Sequence, residues 1–541
     1  MTYITNVAFR TPTPFSTYIL FFPMNYIKKC WLNRWFRRTT WTTAILTVLI
    51  AMGYAFVNAI GAQHWRETQA MLKAEGETID FRELMNEPIP ENENFCAIPL
   101  LKNIAVVVDN HEQPESPEDK RKHLNSIKLP TPAKGVPTPQ LAKADAGILT
   151  DFESWAHFLR NDASFHLPED TGDAARDLLA GLAKDDAIVQ ELAAGLNRPK
   201  SQWTPEWKTR KIPELHISIE QPHYSIMSGL VKAMALRLAV TTRVGDTAKA
   251  HETVRIMARL AQAHLNDPTL YGLIVGSSQV SRINSGIWEI CASHLGTPEI
   301  LGNLESELRN LDLKGFTLRA LRSELATGVA AMQYAKQRPE KMRTMTEGET
   351  SDDGWFNHLY ERSLPSGFFD ANAAVLAESE FKFLIKPLRE HGWMALQRSS
   401  KQLFQELAAM KITVENCSFI FLHAIAPMII GSINKLIHTQ AMLNQSIVAC
   451  ALERHWRKTG HYPDSLDALR LADGQPLPLD PINDKPMGYS VSSNGRYSLW
   501  SIGFDGEDQG GHRNLSEREP VSLPFDAETY SGDWVWNFPF E

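Results

Sequence analysis

The stretch SLWSIGFDGEDQGG, Ser498 to Gly511, carries three carboxylates (Asp505, Glu507, Asp508) and four glycines (Gly503, Gly506, Gly510, Gly511) straight after an apolar, strand-like run. Carboxylates on a bendable backbone are what a hard cation needs. Calcium takes about 6–8 oxygen ligands from carboxylates, carbonyls and water. Glycine lets the chain fold back until such groups converge. The alternative is a solvated acidic turn. The stretch is not an EF-hand: counted from Asp505, the twelfth position is Ser516 rather than glutamate.

Other sets of reactive residues are fragmentary. Ser432-Ile433-Asn434-Lys435 fits S-x-x-K, and Lys458-Thr459-Gly460 fits K-T-G. A single helix separates them and no S-x-N lies between, unlike the arrangement in penicillin-binding enzymes. His251-Glu252 lacks the second histidine of a zincin. No G-x-S-x-G elbow, P-loop or G-x-G-x-x-G is present. His216 and His223 flank SIEQP and could face one cleft, although two such histidines are commonly just partly buried polar groups. The pairs Asp185-Asp186 and Asp352-Asp353 suit helix capping. Cys30, Cys96, Cys291, Cys417 and Cys450 are scattered without a CxxC spacing, so neither a zinc site nor a disulfide framework is indicated. A net charge of -8 argues against a nucleic-acid binder. Tryptophans at 155, 203, 207, 288, 355 and 393 could line a groove, but packing the core is the commoner use.

The elements that hold these residues begin with a membrane segment. Thr39 to Gln63 contains no charged residue, long enough for a helix to cross the roughly 30 Å of hydrocarbon. Trp41 and Trp65 bracket it as an aromatic belt would. Lys28, Lys29, Arg34, Arg37 and Arg38 precede it, which places the N-terminus in the cytoplasm and the bulk outside. Cleavage after Val57-Asn58-Ala59 is the rival reading, but the run exceeds the usual h-region of about 7–15 residues. Met24 precedes a typical basic n-region and is an alternative start to Met1. A second apolar run, Ser418 to Asn434, holds His423, Pro427 and Asn434. It reads as a buried helix before it reads as a second crossing.

Residues 64–150 read as a docking segment followed by a proline-rich linker, with prolines at 114, 117, 130, 132, 137 and 139. From 151 to 412 the period is helical. Leu230, Met234 and Leu238 mark one helix. Gly245 and Asp246 form the turn, and Val254, Met257, Ala258, Ala261 and Leu265 mark the next, giving an αα-hairpin. Further helices are predicted at about 270–294, 297–311, 315–337, 368–410 and 436–458, with no second copy of the hairpin pattern to establish a solenoid. Gly460 ends the last helix and Pro463 can begin a short one. MGYSV (487–491), YSLWSI (497–502) and WVWNF (534–538) read as strands.

IVACALERHWRKTGHYPDSLDAL, LDPINDKPMGYSV, YSLWSIGFDGEDQGG and SGDWVW, in that order over about 440–541, resemble the major pseudopilins of type II secretion. The resemblance implies a long helix ending in a Gly-x-Tyr-Pro turn, then a small sheet. It also implies a calcium ion held by Asp505 and Asp508 of the loop and by Asp533 before Trp534. The chain departs from that family in length and lacks its processed leader, since the GFTL at 315–318 lies mid-chain with Arg319, Arg322 and Glu324 just after it. The chain as a whole resembles bacterial membrane-anchored proteins without an assigned function, which share an "ENENF…PL"-like segment, a helical body and this C-terminal end.

The expectation is a mainly α protein in five parts. They are a cytoplasmic segment (1–38), a transmembrane anchor (39–63), the docking segment and linker (64–150), an exported α-helical body of αα-hairpins (151–412), and a helix plus small α/β pseudopilin-like module with a short antiparallel sheet (413–541). It is expected at a bacterial inner membrane as a single-pass, N-in protein with its body in the periplasm. The expected role is structural or interactive, linked to envelope or secretion proteins, with calcium in the C-terminal module and no catalytic motif. The alternatives are an exported hydrolase with an unrecognised site in the helical body, or a divergent pseudopilin.

Overall fold

The computed structural model describes residues 34–85, 87–105, 117–132, 137–162, 164–203, 222–339, 363–413, 415–512 and 532–538. Cys30, Trp31, Trp207, His216, Asp352, Asp353 and Trp355 lie outside the described residues. The chain divides into two compact units, Met1–Ile60 and Gly61–Glu541.

Helix α1 (Arg34–Ala74, 41 residues) begins in the first unit and ends in the second. Its charge-free run rises about 37 Å at 1.5 Å per residue, enough to span hydrocarbon. In the first unit its apolar side chains are uncovered, Phe56 at 67% and Ile45 at 56% exposure among them. The Thr40, Thr42 and Thr47 hydroxyls donate back to the carbonyls of Phe36, Arg38 and Thr43 at 2.7–2.9 Å. Such internal bonding satisfies hydroxyls where water is absent. Past Ile60 the helix turns amphipathic. Gly61, Trp65, Thr68 and Leu72 recur at i, i+4, i+7 and i+11 and are buried. Trp65 is therefore a core residue at 9% exposure, not the outer half of an aromatic belt, whereas Trp41 is 60% exposed.

The second unit is mainly helical. Among the described residues, its α-helices longer than one turn are α2 (Pro117–Asn125), α3 (Phe152–Arg160), α4 (Ala174–Leu182), α5 (Asp186–Ala194), α6 (Pro222–Arg243), α7 (Thr247–Leu265), α8 (Leu270–Ala292), α9 (Pro298–Arg309), α10 (Leu313–Gln337), α11 (Ser366–Glu380), α12 (Lys386–His391), α13 (Trp393–Ala409) and α14 (Ile420–Thr459). The α6–α7 hairpin forms as its pattern predicts. Gly245 takes a φ of +81°, and Asp246 accepts the Lys249 amide at 3.1 Å as the N-cap of α7. Thr269 caps α8 through the Gly272 amide. Helix α8 then packs against α6, α7 and α14, so one helix ties the hairpin to the C-terminal part.

Two elements differ from expectation. The helix predicted over 368–410 is broken: a π-helical turn (Phe381–Ile385) follows α11, and Gly392 at φ +82° separates α12 from α13. The apolar run 418–434 and the helix predicted at 436–458 are one 40-residue helix, α14, with Pro427 inside it. Among the described residues, three helices are long and apolar enough to cross a membrane: α1, the segment His223–Arg243, and Cys417–Thr459. The second is 83% buried over its most apolar window, which makes it core.

Residues 87–105, 117–132 and 137–150 contribute Phe95, Ile98, Leu101, Ile104, Leu124, Ile127 and Ala144 to the same core as the helices. Lys120 Nζ donates to the Pro99 carbonyl, and Asn94 donates to the Gln202 carbonyl, so this stretch is held at several points.

Gly460 (φ +81°) closes α14, its amide bonding the Trp456 carbonyl at 2.8 Å. Among the described residues, no helix follows Pro463. The chain turns instead into an antiparallel sheet of order β1-β2-β3: β1 (Gly488–Val491), β2 (Tyr497–Ser501) and β3 (Trp534–Trp536). Gly488 faces Trp500, and Leu499 faces Trp536. Trp288 of α8 donates Nε1–H to the Asn537 carbonyl at 2.6 Å, pinning the end of the sheet to the helical body.

Candidate functional site

The glycine-rich stretch leaves β2 as a loop whose carboxylates fold inward. Gly503 has φ +67°, and a Cβ there would stand 2.3 Å from the Gly532 carbonyl oxygen. Only glycine permits that approach, and it brings the loop against the residues before β3. Asp505 accepts the Gly532 amide at 2.8 Å, the Gln509 side-chain amide at 2.9 Å and the Glu507 amide at 3.1 Å. Asp508 accepts from Trp500 Nε1 and from the Gly510 amide, both at 2.9 Å. Asp533 accepts the Gly511 amide at 2.7 Å and is 2% exposed. Burial raises the Asp533 pKa against these amide bonds, and the charges of Asp508 and Asp505 add to the rise. The three residues named from the sequence thus share one neighbourhood, cross-tied by hydrogen bonds. Among the described residues, no group of three or more histidine, cysteine, aspartate or glutamate side chains is placed to hold a metal ion.

Sequence reasoning missed Asp480 in the LDPINDKP turn. It is buried and accepts Ser501 Oγ at 2.8 Å and the amides of Ile482 and Ile502 at 3.0 Å. It fastens the turn before β1 to the end of β2. Burial raises its pKa.

A second group lies inside the helical body. His223 and Tyr224 begin α6, His264 ends α7, Asp267 lies in the α7–α8 turn, and Trp203 precedes residues outside the described set. Tyr224 donates its hydroxyl to Asp267. The His223 ring lies 4.5 Å from Tyr224, 5.0 Å from Trp203 and 5.9 Å from His264, centroid to centroid. All five are buried. Burial pushes His223 down to about 2 and His264 to about 4, and it pushes Asp267 up to about 6. Both ring nitrogens of His223, Nε2 of His264 and Nε1 of Trp203 have no hydrogen-bond partner among the described residues. His264 Nδ1 meets the Leu260 carbonyl at 3.0 Å. Nearby, Glu324 of α10 accepts the Leu270 amide at 3.1 Å, and Glu380 of α11 is pushed up by burial and then by the Glu324 charge. Buried polar groups without partners cost about 1–3 kcal/mol each, so they are rare unless they serve a purpose. Of this group only His223 and Trp203 were singled out in the sequence. His264 sits beside Leu265 on a regular apolar stripe, and nothing local marks it.

The catalytic fragments do not assemble. Ser432 Oγ donates to the Met428 carbonyl, while Lys435 Nζ donates to Ser278 on α8, so no Ser–Lys dyad forms. Thr459 donates to the His455 carbonyl as an ordinary helical threonine. Asp186 pairs with Arg237 at 2.8 Å. Trp155, Trp203, Trp288 and Trp393 are all core residues. Cys96, Cys291 and Cys450 are buried free thiols, and Cys417 is half-buried.

These features define a mainly helical protein with a long apolar N-terminal helix and a small antiparallel sheet near its C-terminal end. No protein family, curated protein or solved structure matches the chain.

Proposed function

We propose that this chain is a single-pass protein of a bacterial inner membrane, N-terminus in the cytoplasm and body in the periplasm, with a structural or interaction role linked to secretion machinery. The observation that carries the reading is α1. It runs without a break from a charge-free span of membrane length into an amphipathic half built into the body's core. Glu75 and Glu77, just past its end, pair with Lys386, Arg389 and Arg322 at 2.6–2.9 Å, which fastens the buried half of the helix to the body. The link to secretion rests on the pseudopilin resemblance of 440–541. Its support is the order found there: a long helix, a glycine-closed turn, then a three-stranded antiparallel sheet. Calcium at Asp505, Asp508 and Asp533 belongs to the same proposal. A cation would relieve the mutual repulsion felt at buried Asp533, and backbone carbonyls would complete the shell. Calorimetric titration of the full chain with calcium, beside an Asp505→Ala/Asp533→Ala variant, tests this. Saturable binding lost in the variant supports it, and heat identical in both overturns it. Affinity capture from detergent-solubilised envelopes tests the role, with enrichment of secretion-system components as the supporting result.

A second reading, an exported hydrolase, is favoured by the buried His223–Tyr224–His264–Asp267 group, whose ring nitrogens at His223 and at His264 Nε2 have no partner among the described residues. Turnover of ester, amide, phosphoester or glycoside probes that disappears in Asp267→Asn would establish it. Turnover unaltered by that change would remove this group from consideration.

A further inference from the structure

The first third of α14 is covered on one side only. Leu422, Ala426, Ile429, Ile430 and Ile433 recur at i, i+4, i+7, i+8 and i+11 and are buried. The opposite face carries Ile420, His423, Ala424, Pro427 and Met428 at i, i+3, i+4, i+7 and i+8, and all are exposed, Met428 at 52% and Ile420 at 44%. No aspartate, glutamate, lysine or arginine occurs from Asn416 to Asn434. A face of about 12 Å along the helix is therefore apolar, uncharged and open. Exposed apolar patches of this kind mark contact surfaces.

Its position says what covers it. A Cβ built on Gly61 would stand 2.0 Å from the Gly367 carbonyl oxygen and 2.7 Å from Gly367 Cα, so the backbones of α1 and the start of α11 touch. Gly61 lies inside the charge-free run, two residues before its end at Gln63, or about 3 Å along the helix axis. The start of α11 thus sits beside the C-terminal end of the charge-free run of α1. The same end of α11 meets the first turn of α14: Phe368 lies 6.4 Å from Phe421, and α11 packs on the turn Cys417–Phe419.

We infer that the open face of α14, Ile420 to Met428, rests on the outer leaflet of the membrane that α1 crosses, and that lipid acyl chains and headgroups are its partner. An apolar helical face of this width sinks about 5–10 Å into the headgroup boundary. The inference rests on the anchor proposed above.

The test uses the full chain in phosphatidylethanolamine/phosphatidylglycerol nanodiscs, with a photoreactive benzoylphenylalanine at one site at a time, read by intact mass. Val48 in the anchor, 57% exposed, is the lipid-facing reference. Val491, 38% exposed in the sheet beyond the far end of α14, is the water-facing one. Lipid adducts at Ile420 and Met428 are expected within about twofold of Val48 and roughly tenfold above Val491. Labelling at Val48 with only background at 420 and 428 overturns the inference and leaves the anchor standing. Adducts to a second copy of the chain at 420 and 428 overturn it in favour of a self-association surface. Absence of lipid adducts at Val48 removes the anchor and the inference together.

Discussion

Asp267 offers the sharpest test of the buried group, because its ionisation opposes folding. Burial lifts its pKa to about 6 from the ordinary 3.8. A raised folded-state pKa means the fold prefers the protonated form. Its stabilising contribution is complete below pH 3.8 and is lost as pH rises through 6. A difference of about two units at 1.36 kcal/mol each makes the loss about 3 kcal/mol by pH 7.5. Asp267→Asn keeps the size and an acceptor oxygen for Tyr224 but cannot ionise. Any fixed cost of the new amide is the same at every pH, so the readout is the change in the variant's stability relative to the parent. Between pH 4 and pH 7.5 that difference should move by about 2.5 kcal/mol in favour of the variant, the rest having been lost already at pH 4. The histidines titrate in both proteins and cancel. For a unit of this size, the shift in relative melting temperature is about 3 °C, followed by tryptophan fluorescence in detergent. A variant-to-parent difference that stays flat from pH 4 to 7.5 would refute the reasoning. A residue whose ionisation weakens the fold at neutral pH is a candidate for function.

Three further outcomes follow from the geometry. Burial holds His264 at about 4, below its ordinary 6.5, so its contribution is present above pH 6.5 and lost as pH falls through 4; a His264→Gln variant should lose less stability than the parent over that range, measured by the same melting curves. The Glu77 side chain, 3% exposed, pairs with Arg322 and Arg389; Glu77→Ala takes the carboxylate from Arg322 while Arg389 keeps Glu75 and Glu390, and should cost about 3 kcal/mol in denaturant unfolding. Gly503→Ala forces a Cβ into the Gly532 carbonyl at positive φ and should cost about 2 kcal/mol, whereas Gly506→Ala, with nothing within 4 Å, should cost about 1 from backbone strain alone.

Much of the architecture is legible because it is local. The α6–α7 hairpin follows from a 3.6-residue apolar period and a Gly-Asp turn, and the strands follow from aromatic alternation around Ser-Asn-Gly. The break at Gly392 is hidden because helix-favouring residues run on both sides of it, and only the φ of +82° reveals the turn. Pro427 reads as a helix breaker, yet α14 passes through it. The exposed side of the helix leaves the freed carbonyl open to solvation. The loop carboxylates were visible as a cluster in sequence. Asp480, which fixes the neighbouring turn, was not, because its partners Ser501 and Ile502 are about twenty residues away. The histidine–tyrosine–aspartate group was illegible for the same reason: it is assembled from both ends of a hairpin and the start of a third helix, and no local pattern encodes that meeting.

The central claim is that α1 crosses a membrane once and holds the body outside the cytoplasm. Protease treatment of intact spheroplasts expressing the full chain with an N-terminal epitope tests it most directly. The account predicts that the body is digested from outside while a tagged fragment ending near α1 survives and resists alkaline extraction. A body protected in spheroplasts and digested only in inverted vesicles, or a chain released by alkali, would contradict it.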